Sequence, residues 1–474
     1  MDVLRAYDPA KFVVNAVGIN ETSARIFISI SVAFLLSFLY RPIISKQPSI
    51  PQHIINAVIG SSLLYYCFGN EVLHLVFDVV IVIFILKTIG GTFISLISTW
   101  IIVFGHLLYG YYNIITSNNV ARLDWTIPGC VLCLKLIGLI SDLYDTVQAN
   151  KRGETNPKKI PLKSNRIGVF EVIGYSTCFT TCIVSPVISF QRYVDFSNGT
   201  LFDTETIPNS MGYGIMRFSI GLLFVSIYSL LLPYVPIDYF ASAEFVAKPF
   251  VYKFFLAALR YKVIFKQYSS IWLLSEGACV VTGLSYKGKN KDGSIDWSGC
   301  AGIHVIELET AIYMQQIINS FNLTTNEWVL QHVYKKCRFL NSKIASQSIS
   351  LLFLAAFHGF LPGYFICFAH EIIVVIVEKQ FMDYGTMKLG PFSSWPLILR
   401  IISIPFLFLY QLFGMTLTVG VFQLLTLERC LTFMGALHYY TIYAYIILVP
   451  IGKYLEIQVK KEKKQNLTER EKHE

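Results

Sequence analysis

His358 lies four residues ahead of Pro362 in the apolar run Leu351-Leu-Phe-Leu-Ala-Ala-Phe-His358-Gly-Phe-Leu-Pro-Gly-Tyr364. Proline has no N–H to offer the carbonyl of His358, so a helix passing through this point must kink or break beside the imidazole. Gly359 and Gly363 flank the break without side chains, which lets another helix or a ligand approach the backbone there. A neutral imidazole with a pKa of about 6.5 is a usable base toward an alcohol at cytosolic pH. An acceptor chemistry of that kind also needs something to hold a carbonyl. The upstream segment Ser320-Phe-Asn322-Leu-Thr-Thr-Asn326-Glu-Trp328 supplies amides, hydroxyls and an indole. Asn322, Asn326 and Trp328 suit a membrane-interface helix whose amides bind a carbonyl oxygen. A helix cap is the competing reading of the Asn-x-x-Thr cluster. Asn322-Leu-Thr also matches a glycosylation sequon, against which the neighbouring lysines argue.

Four other histidines, His74, His106, His370 and His438, sit in apolar surroundings without distinctive neighbours. They read as hydrogen-bonding groups across helix packing contacts. Glu371 and Glu378 are seven residues apart on one helical face and read as helix-packing carboxylates rather than acid catalysts. Most of the 10 cysteines fall inside apolar runs. Cys130-x-x-Cys133 has no second pair at ligand spacing, so no metal site is expected. No serine or cysteine nucleophile with a partnered base is visible.

These residues need elements to carry them, and the composition says which. The chain has 474 residues, 54% hydrophobic and 15% charged, with a mean hydropathy of +0.54. A soluble domain carries about 25% charged residues, so this is a membrane protein. A bilayer core about 30 Å thick takes around 20 apolar residues per helix. Candidate spans are 26–40, 54–68, 72–86, 89–112, 127–143 and 168–188 in the first half. The second half offers 216–236, 240–259, 269–286, 345–357, 363–377, 397–425 and 431–451. Several are short or merge with a neighbour. The expectation is an all-α polytopic membrane protein of about 10 to 12 transmembrane helices, some tilted, broken or re-entrant.

The net charge is +9, and it is concentrated in four stretches. Residues 150–166 carry Lys151, Arg152, Lys158, Lys159, Lys163 and Arg166 against Glu154, and 248–266 carry four lysines and Arg260. Residues 331–343 add Lys335, Lys336, Arg338 and Lys343, and the tail adds Lys460, Lys461, Lys463 and Lys464. The positive-inside rule places all four on the cytosolic face, and nucleic acid is not an expected partner. Topogenic charge explains the 150–166 loop and the tail. Lys335, Lys336, Arg338 and Lys343 are in addition placed to meet an anionic, phosphate-bearing substrate. No cleaved signal peptide, soluble domain or repeat is expected. The division expected is an N-terminal segment over 1–25, one transmembrane domain over 26–452 with its reactive region at about 269–380, and a basic cytosolic tail over 453–474.

The segments Phe321-Asn322-Leu-Thr-Thr-Asn-Glu-Trp328 and Phe357-His358-Gly-Phe-Leu-Pro-Gly-Tyr364, with their reactive residues 36 apart, resemble the membrane-bound O-acyltransferases, in particular the lysophospholipid acyltransferase branch. Phe190-Gln-Arg-Tyr, Leu274-Ser-Glu-Gly, Ile306-Glu-Leu-Glu-Thr and Cys367-Phe-Ala-His-Glu are similar as well. Phe357 stands where many members have tryptophan, which keeps an aromatic wall and drops an indole N–H. The Tyr-x-Asp-Trp-Trp-Asn segment of sterol and diacylglycerol acyltransferases is missing. The resemblance implies the family's fold around an intramembrane reaction chamber, with His358 and Asn322 as the catalytic pair. It also implies Asn326, Trp328 and Tyr364 near substrate, acyl-CoA as co-substrate with no tightly bound cofactor, and a lysophospholipid drawn from the membrane lipids. The acceptor implied is 1-acyl lysophosphatidylcholine, with lysophosphatidylserine or lysophosphatidylethanolamine beside it. The location implied is the endoplasmic reticulum membrane, with oligomeric state, a homodimer included, left open. The tail end Arg470-Glu-Lys-His-Glu is an imperfect match to a retrieval signal.

Two rivals stay open at this point. A polytopic transporter would use His358 and the broken helix to line a substrate path, although the first half has no counterpart of the Pro362 break. An enzyme of the same fold would acylate a protein or another lipid such as lysophosphatidylinositol.

Overall fold

The computed structural model describes residues 8–17, 20–117, 123–156, 160–203 and 207–471. Lys158 and Lys159 of the first basic stretch, and the last residues of the tail, lie outside the described residues. The chain divides into two compact units. One holds 1–229, 266–303 and 322–336, and the other holds 230–265, 304–321 and 337–474. Asn322 belongs to the first unit and His358 to the second.

In the first unit the long helices are Glu21–Leu39, Ser49–Phe68, Val72–Ile89, Thr126–Lys151 and Met211–Leu231. Phe93–Thr99 continues through a wide turn at Trp100–Phe104 into Gly105–Thr116. The helix Val72–Ile89 shows why these elements belong in hydrocarbon. Leu73, Val76, Phe77, Val80 and Phe84 recur at helical spacing and are exposed, while Leu75, Asp78, Val79, Val82 and Ile85 are buried. Both faces are apolar, and the outer one is stable against lipid rather than water. Thr126–Lys151 is the most buried of the long helices and lies at the centre, with Leu132 to Leu136 buried in sequence, Lys135 among them. A two-stranded hairpin pairs Gly288 with Asp296 and Lys289 with Ile295.

The second unit is built on Lys343–His358, Pro362–Leu389, Leu397–Leu424, Leu427–Ala436 and Tyr440–Glu471. Pro362–Leu389 packs along Leu397–Leu424 and Tyr440–Glu471. The helix Phe250–Thr282 runs from this unit's 230–265 segment into the other.

Among the described residues seven helical segments are long and apolar enough to cross a membrane. One of these, Ser49–Ile89, is 41 residues long and is interrupted at Gly69, whose φ is 57°. Other spans expected from the sequence fall on helices that carry more charge or are cut short. Pro362–Leu389 contains Glu371, Glu378, Lys379, Asp383 and Lys388, and Lys343–His358 has only 16 residues. The all-α polytopic architecture is as expected.

Three of the four undistinguished histidines do what the packing reading requires. His106 Nδ1 lies 2.8 Å from Asp78 Oδ1, and His74 Nδ1 lies 3.1 Å from His106 Nε2. His370 Nδ1 lies 2.9 Å from the Thr418 hydroxyl. The fourth, His438, is exposed at a sharp turn with φ 56°.

Candidate active site

Lys343–His358 ends on His358 itself, capped by Gly359 with φ 121° and ψ −170°. The next helix starts with Pro362 at its first position, where a missing N–H costs nothing. The expected break is therefore complete rather than a kink, and Glu371 is not on one continuous helix with His358. Gly363 fixes the second helix close to its neighbour: its N–H donates to Leu425 O at 2.8 Å. A Cβ added at Gly363 would stand 2.3 Å from Val421 O. The backbone beside the break thus touches another helix, as the two glycines suggested.

The imidazole of His358 is partly exposed and walled by aromatic rings. Phe422 meets it edge-on at 5.1 Å, Phe368 stacks at 5.8 Å, Tyr364 lies at 5.6 Å and Phe357 at 5.9 Å. Among the described residues no side chain is hydrogen-bonded to the ring. Both nitrogens therefore stay open to a ligand.

Asn322 starts the helix Leu323–Val329 in the left-handed conformation, φ 52° and ψ 44°, and its side chain makes no capping hydrogen bond. The cap reading that the sequence left open loses its main support here. Leu323 N–H donates to Gly302 O at 3.0 Å, and Thr324 Oγ1 accepts from Val187 N–H at 3.3 Å. Trp328 is buried and spends its indole N–H on Leu134 O at 2.8 Å. It locks the Asn322 helix to the central helix of its unit. Asn326 is half-buried one turn after Asn322.

The basic candidates part company. Lys336 forms an ion pair with Asp145, and Lys335 donates to Gln331 Oε1 at 2.6 Å. Arg338 and Lys343 are exposed. Among the described residues no three His, Cys, Asp or Glu side chains gather in a way that could hold a metal.

The model of the membrane-bound O-acyltransferase family matches residues 110–420, a range that contains Asn322 and His358. The chain belongs to that family. Among its membrane-bound O-acyltransferase relatives, a Bos taurus protein named lysophospholipid acyltransferase 5 is 34% identical over 366 residues, 77% of this chain and 75% of its own length. The Drosophila melanogaster protein of the same name is 30% identical over 436 residues, covering 90% and 86%. The Caenorhabditis elegans one is 27% identical over 439 residues, covering 91% of both chains. The similarity to the two invertebrate relatives thus runs over nearly the whole chain.

Three contacts around the candidate residues were not expected from the sequence. Glu378 accepts from Met314 N–H at 2.7 Å and Gln315 N–H at 2.9 Å, anchoring the start of Met314–Ser320, the helix that leads to Asn322. Arg217 and Glu276 form a buried ion pair. His332 lies against the Trp328 ring at 4.9 Å, with Asp142 3.8 Å from its Nε2. A carboxylate seven residues beyond another carried no sign of a partner 63 residues upstream.

Burial, reinforced by the Lys336 ammonium, pushes the His332 imidazole down to about 4. The unfolded chain binds a proton at this histidine below about 6.5 and the folded one does not until about 4, so stability falls as pH drops through that interval. Thermal midpoints in detergent measured from pH 7.5 to 4.5 should decline in the native protein and decline less in His332→Gln. An identical slope in the variant would remove His332 as the source.

Proposed function

We propose that the chain is an acyl-CoA-dependent O-acyltransferase that re-acylates lysophospholipids at the free sn-2 hydroxyl, with 1-acyl lysophosphatidylcholine as the leading acceptor. The observation that carries this reading is His358, left at a helix end with an open imidazole inside the region matched by the family. The relatives' names supply the substrate class. Lysophosphatidylserine and lysophosphatidylethanolamine are the further acceptors, and the endoplasmic reticulum membrane is the location.

In the step proposed, the glycerol hydroxyl attacks the thioester carbon as His358 takes its proton. The ester C–O bond forms, the C–S bond breaks, and the proton passes from His358 to the sulfur of departing CoA. The Asn322 amide donates to the thioester oxygen as charge develops on it, or orients the acceptor or His358. No acyl-enzyme is formed. Arg338, Lys343 and Lys335 offer positive charge to the CoA phosphates from the cytosolic side, while Asn326, Trp328 and Tyr364 shape the surroundings of the reacting groups.

Purified protein supplied with labelled acyl-CoA and a panel of lysophospholipids should yield labelled phospholipid and one free CoA per ester formed. Acylation of a peptide acceptor with none of the lysophospholipids as substrate would overturn the reading. The sidedness is testable apart from activity. Single cysteines replacing Lys335 and Lys463 in a cysteine-depleted background should react with a membrane-impermeant maleimide in sealed microsomes of native orientation. Protection of position 335 would place that loop in the lumen and end its role toward CoA.

A further inference from the structure

Arg217, on Met211–Leu231, and Glu276, on Phe250–Thr282, are 6% and 1% exposed, yet the pair is placed where apolar residues would pack. Removing two charges from water is costly, and such a pair is weak ground for stability because apolar replacements of similar volume do as well or better. What distinguishes this pair is the backbone it holds. Arg217 Nη2 donates to Glu276 Oε2 at 2.8 Å and to Ile303 O at 2.9 Å. Glu276 Oε2 also accepts from Gly302 N–H at 3.4 Å. The corner at 302–303 is thereby gripped at the N–H that enters it and at the carbonyl that leaves it. Gly302 is pressed flat on the same helix one turn earlier, since a Cβ there would stand 2.9 Å from Trp272 Cβ.

Gly302 O is in turn the acceptor of Leu323 N–H at 3.0 Å. Leu323 follows Asn322, whose left-handed backbone is stabilised by no side-chain cap of its own. A residue in that region is held by its surroundings rather than by local preference alone. We infer that the Arg217–Glu276 pair is a positioning device for the reaction: through Gly302 and Ile303 it fixes the left-handed turn that aims the Asn322 amide. This rests on the reading that Asn322 acts in acyl transfer. Neither Arg217 nor Glu276 touches substrate in this role.

The test uses the full-length protein and the double variant Arg217→Met/Glu276→Leu, which removes both charges together and leaves no lone buried ion. Its thermal midpoint in detergent should be no lower than that of the native protein. Turnover at saturating acyl-CoA and lysophospholipid should nevertheless fall by about 10²-fold, the scale of a small misplacement of a reacting group, with both KM values little changed. Hydrogen exchange at the Leu323 amide should quicken. Native turnover in a stable double variant would overturn the inference. If the double variant does not fold, Gly302→Ala pushes the corner off Trp272 with the ion pair intact and should show the same loss of turnover; native turnover there overturns the inference equally. A cycle with Asn322→Ala separates the two readings. Full activity in Asn322→Ala alone would sink the role of Asn322. A low-activity Asn322→Ala in which the double replacement costs a further 10²-fold would show that the pair acts elsewhere, whereas a further loss of less than about twofold supports the inference.

Discussion

Replacing His358 by alanine should lower turnover by about 10²-fold or more, the usual contribution of a positioned general base, while the protein still extracts and folds. The fold should survive because of where the residue sits. His358 is the last residue of Lys343–His358 and is partly exposed, and its ring makes no hydrogen bond among the described residues. Alanine removes contacts with Phe422, Phe368 and Tyr364 but strands no polar partner. His358→Gln tightens the test by keeping a polar side chain of similar reach without a titratable nitrogen, and it should be as inactive. His438→Asn is the internal control, since the residue is exposed and asparagine tolerates its left-handed backbone. His370→Ala should behave differently from both. It empties a buried site and removes one of the two partners of the Thr418 hydroxyl, which keeps its bond to Gly414 O, so its loss should appear in thermal stability before it appears in turnover. Near-native turnover in folded His358→Ala would exclude the proposed base.

What was legible in the sequence was whatever local chemistry determines. Pro362 cannot complete a hydrogen bond to residue 358, and the helix ends there as written. Long apolar runs became helices with lipid-facing apolar stripes, because no other backbone satisfies itself in hydrocarbon. The use made of single polar residues was not legible, since their partners lie far along the chain. Lys336 and Asp145 are separated by 191 residues and Arg217 and Glu276 by 59. Glu378 read as one of two helix-packing carboxylates, and it does pack against another helix, but its partners, the amides of Met314 and Gln315, were not legible. Trp328 looked like a ligand for substrate, and its N–H is taken by Leu134 O. The spacing of Asn322 from His358 gave the resemblance, but nothing in that spacing disclosed the left-handed turn at Asn322.

That turn makes a sharper experiment possible at Asn322. Alanine there changes two things, because it removes the amide and also pays for a positive φ, at about 1–2 kcal/mol. Asn322→Gly changes only the first, since glycine adopts φ 52° without strain. Asn322→Asp keeps size and an acceptor oxygen but cannot donate, and its charge would oppose the negative charge growing on a thioester oxygen. If the amide donates in the reaction, Asn322→Gly and Asn322→Asp should both lose most acyl transfer at saturating acyl-CoA with thermal midpoints close to native, and Asn322→Ala should lose the same activity with a lower midpoint. Asn326→Asp, one turn into the helix, should be milder. A helix cap predicts another order: Asp would serve as well as Asn, and glycine would cost a few tenths of a kcal/mol and little turnover. Retained activity in both Asn322→Asp and Asn322→Gly would therefore leave His358 as the sole reactive side chain of the proposed pair, and would limit Asn322 to shaping the entry of its helix.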